Sequence, residues 1–558
     1  MSLVTSLVVP AYLRRKLRSA RALVDSTTRE PQRFQQDALL RILRANAQTT
    51  YGREHGFASI RTVREFQDAV PVNTYEELRP YVDSVADGTD PHALTADPVE
   101  MFTSTSGTMS KPKLIPVTAS SRLAERRVKD AWLAHLHADH PEVLSGSPFY
   151  LFNKAEESQT PSGLWIGSNA GLMYRNTPRF LRSVQAVPYE ICEIEDYESR
   201  YYVILRHLLA LQLSLMVCIN PSSILLLAEL ANGHAEELIR DVYTGGLRDG
   251  LDLSEEQYAF FRSRLHADRD RGRELARHLA RDGRLLPSRY WPRLRVLNSW
   301  KGPGVAAFAE KCRAWYGDLP FRDVGYGSSE FRTGLVLSDD GSQNVPLPDN
   351  YFYEFIPAGE TVERPLGLHE LELGRRYRIV QTGPHGLVRY DIEDLVEVNG
   401  FHNATPTIAF VQKAKMVTSL TGEKIYENQV IEAMDRVSAR RPELAPSFFV
   451  LYCDAQDANY KLCVEHDVPR TPAQLDELLA LFEGALGEVN IEYPYKRASL
   501  RIKQPEIFAL PAGSSVRLVK HVGKGSTQDN QAKIPRLSRD VDEHFALFGL
   551  ERTTRAAA

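Results

Sequence analysis

The chain is poor in cysteine. Cys192, Cys218, Cys312, Cys453 and Cys463 are scattered over 558 residues without a CxxC pair. This argues against a zinc site or a disulfide framework and fits a reducing cytoplasm. Neither sign of charge dominates: 68 Lys and Arg face 72 Asp and Glu, and a net charge of −4 lends no bulk electrostatic support to nucleic-acid binding. Long apolar runs are also lacking. The opening MSLVTSLVVPAYLRRKLRSAR is apolar first and basic second, the reverse of a signal peptide, and its apolar part is too short to span a bilayer. A helix docked on its own domain is expected there, with contact to a membrane surface as the alternative and no stable insertion. There is no internal repeat and no low-complexity stretch.

What remains is the profile of a large globular enzyme. The length exceeds what one hydrophobic core supports, so two or more domains are expected. Helix and strand patterns mix. Amphipathic helices are expected over Pro31–Ala45, Ala119–Ala138, Val203–Leu215 and Ser222–Ile239, with a short strand at Val217–Asn220. The second helix carries a basic face (Arg122, Arg126, Arg127, Lys129), expected to be solvated. Arg262–Arg284, dense in Arg and Asp with i,i+4 pairing, reads as a solvated helix. Strand signals dominate from Arg293 to Val417. A helix at Asn428–Val437, strands within Ser447–Glu465 and a helix at Thr471–Val489 follow. The switch near 413–425, KAKMVTSLTGEKI, marks a domain junction. A cleft between a large and a small domain is a common site for ligands.

Four segments carry chemistry. Phe102–Val117, FTSTSGTMSKPKLIPV, gathers three Thr and three Ser around one glycine and adds Lys111 and Lys113. Hydroxyls, backbone N–H groups and cations together suit a polyphosphate. The spacing is not Walker A, since no Gly-Lys-Ser/Thr closes the loop; a polar surface loop is the alternative. Val324–Glu330, VGYGSSE, reads as a tight strand-end turn. Tyr326 could stack on a flat heterocycle, and Glu330 could hold Mg²⁺ through its oxygens or simply face solvent. In Gly386–Val396, GLVRYDIEDLV, Asp394 lies in an apolar strand, where an acid needs partners. A ribose diol would serve, and so would an ion pair with Arg389. In Gly523–Leu537, GKGSTQDNQAKIPRL, Lys533 sits on a polar loop from which it could reach a phosphate or carboxylate, or do nothing.

Taken in order, FTSTSGTMSKPK, GYGSSE, GLVRYDIEDLVEVNGFHNATP, LTGEK and NQAKIPR resemble the Gretchen Hagen acyl acid amido synthetases, also called the auxin-responsive promoter family. This is a branch of the adenylate-forming enzymes related to acyl-CoA synthetases and luciferase. The resemblance runs from about residue 35 to the C-terminus. PSGLWIGSNAG, YWPRLRVLNSWKGPG and YFYEFIP also look similar.

The resemblance implies an α/β fold. A large N-terminal acyl-acid and ATP-binding domain, residues 1–416, would combine sheets with a β-barrel-like subdomain. A small mobile α/β domain, 417–558, would follow a hinge near 413–425. It implies an ATP-dependent ligase that adenylates a carboxylic acid and transfers the acyl group to an amine or amino acid, releasing pyrophosphate and AMP. Ser104, Thr105, Ser106, Gly107 and Thr108 would cradle phosphate. Tyr326, Gly327, Ser328 and Ser329 would border the nucleotide, Glu330 would face Mg²⁺, and Asp394 would bind ribose. Lys413 would stand at the hinge and Lys533 would enter as a catalytic residue. Trp132, Leu133, Val217 and Ile219 would wall the acid pocket, with core packing as the alternative for each.

This chain departs from the wider superfamily at three places: Ser110 replaces a second loop glycine, Glu393 replaces the glycine before the ribose aspartate, and Lys413 replaces an arginine. An acyl-CoA or carrier-protein ligase and a non-catalytic nucleotide-binding homologue are the alternative functions. A monomer is expected. The Ala- and Arg-rich composition, without plant-like targeting, fits a bacterial cytoplasmic protein.

Overall fold

The architecture was read from a computed structural model that describes residues 9–105, 113–182, 184–301, 306–339, 341, 343–358, 364–413, 417–523 and 536–551. Ser106, Gly107, Thr108, Ser110 and Lys533 therefore lie outside the described residues. The chain divides into two compact units. One comprises Met1–Thr105 and Lys113–Ala414; the other contains Lys415–Ala558.

Within the first unit, Val99–Thr105 and Lys113–Thr118 form an antiparallel pair that brings Thr105 opposite Lys113. This pair belongs to a four-stranded sheet. Thr118 then caps the helix Ala119–Asp139, its hydroxyl accepting the Ser121 N–H at 3.2 Å. The strand-to-helix switch thus follows from a Thr placed one residue before an apolar-periodic run. The helix Val9–Arg29 buries Leu17, Ala20 and Val24 in one cluster with Val128, Ala131 and Trp132 of Ala119–Asp139. Lys16 pairs with Asp130 at 2.7 Å. The N-terminal helix is therefore docked on its own unit, as its apolar face requires.

A parallel sheet joins Ser147–Tyr150, Leu213–Val217, Leu297–Ser299 and Phe321–Asp323 in that order. A larger antiparallel sheet runs Leu366–Gly367, Phe352–Pro357, Arg376–Thr382, Tyr390–His402, Thr405–Lys413, Asn344–Pro346, Gly334–Val336. Its register shifts between Arg378 and Val380 and again between Leu395 and Val396. Such bulges bend a strand and re-aim its side chains, and here they bracket Asp394.

The second unit holds the two-stranded pair Val417–Thr418 and Ile425–Tyr426 and a sheet ordered Glu506–Ala509, Asn459–Glu465, Phe448–Asp454, Leu537–Ser538. The helices Glu427–Arg440 and Pro472–Val489 pack their apolar residues into its core.

Several local expectations change. The helix expected over Val203–Leu215 is Tyr197–Leu209, begun by Asp196 accepting the Ser199 N–H at 2.7 Å. Leu213–Val217 is a buried strand, replacing the one expected at Val217–Asn220. A fully apolar run has no period to separate helix from strand. Ser222–Ile239 breaks into Pro221–Gly233 and Ala235–Thr244. A helix, Ala306–Tyr316, interrupts the strand-rich stretch. In the helix Arg269–Asp282, Arg271 is buried rather than solvated and donates to the Leu209 and Tyr290 carbonyls at 2.8 and 2.7 Å.

Candidate active site

Phe321–Asp323 ends in the turn that carries GYGSSE. Gly325 has φ +96°, and a Cβ there would stand 2.4 Å from the Gly334 carbonyl oxygen. Only glycine fits that approach. Ser328 then holds the turn: its Oγ accepts the Glu330 and Phe331 N–H groups at 3.2 and 3.3 Å. The result aims Tyr326 and Glu330 at the long strand Tyr390–His402.

Tyr326 is buried and stacks on Phe410, with ring centroids 6.2 Å apart and planes 21° apart. Its hydroxyl donates to Asp394 Oδ2 at 2.6 Å. Burial, with the Asp394 charge adding to it, pushes the Tyr326 phenol well above its ordinary range, so it stays a donor. The ion pair with Arg389, weighed beside a ribose diol as the partner of Asp394, is not formed. Arg389 instead makes a two-pronged ion pair with Glu354, Nε to Oε2 and Nη2 to Oε1, both at 2.9 Å. Arg389 has φ +44° and Glu393 has φ +58°. The latter is a left-handed backbone carried by a residue that has a Cβ.

Glu330 is buried as well, at 8% exposure, and does not face bulk solvent. Its Oε1 accepts the Tyr390 hydroxyl at 3.3 Å, and that hydroxyl lies 3.3 Å from Lys113 Nζ. Lys113 sits over the rings of Tyr75 and Tyr390 at 5.4 and 5.9 Å. Burial first, then Glu330, pushes the Tyr390 phenol well above its usual range. His385 lies beneath, edge-on to Phe331, and burial pushes it down to about 4, so it is neutral at physiological pH. The first unit thus holds half-buried Lys113 with buried Tyr390 and Glu330, and near them the buried pair Tyr326 and Asp394, the Glu330 charge also acting on the Tyr326 phenol.

Ser104 is exposed near the end of Val99–Thr105, immediately before the undescribed 106–112 segment. The Lys413 backbone pairs with Asp394 across Tyr390–His402 and Thr405–Lys413, which places residue 413 beside the site. Trp132 is core: at 7% exposure it donates its indole N–H to the Asp323 carbonyl at 2.8 Å. Leu133 and Val217 pack half-buried against the same cluster, while Ile219 is 51% exposed. Sequence reasoning missed Tyr390, which links Lys113 to Glu330, because a tyrosine in an apolar strand reads as core. It also missed Asn73. Asn73 exchanges backbone bonds with Arg389 and Asp391, both at 2.8 Å, and clips the start of the long strand.

Comparison with known proteins fits this geometry. The chain matches the GH3 family N-terminal domain over residues 20–321, its central domain over 344–413 and its C-terminal domain over 428–542. It belongs to the GH3 family. It is 25% identical to the jasmonoyl–L-amino acid synthetase JAR6 of Nicotiana attenuata, over 75% of each chain. It is also 25% identical to a probable indole-3-acetic acid-amido synthetase, GH3.1 of Arabidopsis thaliana, over 95% of each. The fold is similar to that of AtGH3.15 acyl acid amido synthetase in complex with 2,4-DB, with a TM-score of 0.65, 21% identity and 96% coverage of both chains. The reading of the chain as an acyl acid amido synthetase, an ATP-using ligase, is borne out at this level. These relatives are plant proteins and give the expected bacterial source no support. Among the described residues, no helix is long and apolar enough to cross a membrane.

Proposed function

We propose that the polar cluster of the first unit is the adenylation centre. A carboxylate oxygen of the acid attacks the α-phosphorus of ATP, and the bond to pyrophosphate breaks. An amine nitrogen then attacks the acyl carbonyl, loses a proton, and the bond to AMP breaks. The observation that carries this reading is the convergence of Lys113, Tyr390 and Glu330 on one side and Tyr326 and Asp394 on the other. Positioning and charge compensation are the protein's main contributions to such chemistry.

In this reading Asp394 binds the ribose. A carboxylate has about four lone-pair sites, so it can hold Tyr326 and still accept ribose hydroxyls. Tyr326, Gly327, Ser328 and Ser329 border the nucleotide. Ser104, Thr105, Ser106, Gly107 and Thr108 cradle phosphate, with Lys113 paired opposite Thr105. Glu330 suits Mg²⁺. Among the described residues no group of three or more His, Cys, Asp and Glu could hold a metal ion alone. Mg²⁺ needs no such group when one carboxylate and the substrate phosphates share it. When bound it would neutralise phosphate charge. Lys413 marks the hinge, Lys533 comes from a mobile C-terminal domain, and 413–425 is the junction between domains 1–416 and 417–558. Leu133, Val217 and Ile219 border the acid, with Trp132 behind them. The substrates are a small carboxylic acid and an amine or amino acid, and the protein is a cytoplasmic monomer. All five cysteines are free and buried, in keeping with a reducing compartment.

A CoA-dependent ligase is the second reading. The fold is also similar to that of a 2-hydroxyisobutyryl-CoA ligase, with a TM-score of 0.51 over 92% of this chain. ATP–pyrophosphate exchange across a library of acids, followed by mass spectrometry with amine and CoA acceptors, tests both. Amide formation supports the proposal, thioester formation favours the second reading, and no exchange with any acid overturns both.

A further inference from the structure

Beside the GYGSSE turn, the first unit holds an arginine with too few acceptors. Arg332 follows Glu330 by two residues and packs against Gly327, where a Cβ would stand 2.9 Å from its Cδ and 3.2 Å from its Nη1. Its Nη2 donates to the Val324 carbonyl. Among the described residues its guanidinium makes no other hydrogen bond and no ion pair, and its Nε is buried without a partner. A guanidinium has five N–H donors, and a buried donor left without an acceptor is costly. Burial pushes Arg332 down, while Glu125, then Asp323, act against that shift.

Glu125, on the helix Ala119–Asp139, is the acid that acts on Arg332 most strongly, yet the two do not pair. Lys129, one turn on, pairs with Glu125 Oε1 at 2.9 Å, and Asn169 Nδ2 donates to Oε2. That bond fixes the Asn169 amide, because only its nitrogen can donate to a carboxylate. Asn169 Oδ1 therefore points away from Glu125, and it is buried with no donor. Asn169 opens the helix Asn169–Arg175, and the Met173 sulfur of that helix lies 3.5 Å from Lys129 Nζ. This group adjoins the acid wall of the reading above. Trp132 and Leu133 follow Lys129 on the same helix, and Trp132 donates to the Asp323 carbonyl at 2.8 Å. Arg332 and Lys129 stand against Glu125 and Asp323, so the charges here balance.

We infer that Arg332 and Asn169 set the acid specificity of this chain: together they hold a hydroxyl group that the acid carries besides its reacting carboxylate. The inference rests on the adenylation reading above and narrows its substrate from any small carboxylic acid to a hydroxy-substituted one. A hydroxyl accepts and donates at once, so it meets both the open donor of Arg332 and the open acceptor of Asn169. Because the surrounding charges balance, a neutral group fits better than a second carboxylate, which would add an unpaired buried charge and leave Asn169 Oδ1 without a donor. A site built to bond a hydroxyl rejects the acid that lacks it, since its own buried polar groups are then left unpaired.

The test measures acid-dependent pyrophosphate exchange by the full chain with matched acids: phenylacetate and its ring-hydroxylated isomers, octanoate and its hydroxylated isomers, and the corresponding dicarboxylates. In the wild type the best hydroxylated acid should exceed its parent in kcat/KM by about tenfold or more. Asn169→Leu and Arg332→Met should each abolish that preference, chiefly through KM, and Arg332→Lys should keep part of it. A purely structural role would lower both acids of a pair together. Direct calorimetric titration of the same acids reads the subsite without turnover, so tighter binding of the hydroxylated acid with no exchange would count against the adenylation reading alone. A wild type that prefers no hydroxylated acid over its parent, in exchange or in binding, overturns the inference. So does a preference for the dicarboxylate, or a preference for the hydroxylated acid that survives in whichever of Asn169→Leu and Arg332→Met folds.

Discussion

Tyr326 donates its hydroxyl to Asp394 at 2.6 Å, joining the GYGSSE turn to a strand 68 residues further on. Neither residue is exposed: Asp394 is at 4% and Tyr326 also at 4%. A buried carboxylate so placed is costly unless it is bonded, and the phenol supplies one such bond while fixing the direction of the remaining lone pairs.

Asp394→Ala is therefore expected to weaken ATP binding by about 1.5–3 kcal/mol, the usual scale for hydrogen bonds to a charged group. Tyr326→Phe, which leaves the carboxylate in place, should cost less. Calorimetry on variants shown to be folded decides. Unchanged nucleotide affinity in Asp394→Ala would remove the ribose assignment.

Glu330→Gln keeps the shape of the side chain and removes its charge. Acid-dependent pyrophosphate exchange should drop at least about tenfold, equivalent to roughly 1.4 kcal/mol of barrier. The dependence of the rate on Mg²⁺ should shift to higher concentration. A variant with wild-type rate and wild-type Mg²⁺ dependence would show that the buried carboxylate has only a structural part.

The Arg389–Glu354 pair predicts a stability effect without direct contact with substrate. Both are almost fully buried, at 3% and 1% exposure. Glu354→Ala strands the guanidinium and should destabilise the first unit by about 3–5 kcal/mol. Urea unfolding measures this as a fall in midpoint. A midpoint within error of wild type would mean that the Gln67 and Val70 carbonyls, which also accept from Arg389, carry it alone.

Glu393→Gly addresses the left-handed backbone at residue 393, φ +58°. Left-handed backbone costs a residue with a Cβ about 1–2 kcal/mol. Glycine gives part of that back through greater freedom in the unfolded chain. A net gain of up to about 1 kcal/mol is expected, seen as a higher melting temperature. A clear loss would indicate that Glu393 makes contacts worth more than the strain.

Lys533→Ala separates the two chemical steps. If Lys533 serves adenylation, the variant should slow acyl-adenylate formation on the order of 10²-fold, as for loss of one electrostatic stabiliser. Attack of amine on preformed acyl-adenylate should persist. Equal slowing of both half-reactions, or of neither, in single-turnover experiments would refute the selective role.

The sequence by itself determined much of this protein. Helices with a regular apolar stripe, such as Pro31–Ala45, Ala119–Asp139 and Pro472–Val489, the last two also opened by a capping Thr, were legible from local pattern, because burial of one face leaves a period in the sequence. The strands from Phe352 to Lys413 were legible from their β-branched and aromatic residues, and within Tyr390–His402 from alternation as well. The ordered motifs named the family. Buried runs without a period, such as Leu213–Val217, were not legible, since helix and strand both satisfy them. Pairings were not legible either. That Asp394 meets Tyr326 and that Arg389 meets Glu354 depends on which strands lie side by side and on bulges that shift the register by a residue. A one-residue shift turns a strand's side chains to the other face, and only the folded sheet fixes it. The same holds for Tyr390 between Lys113 and Glu330. Each contact joins residues distant in the chain, and its geometry exists only once the tertiary fold has brought them together.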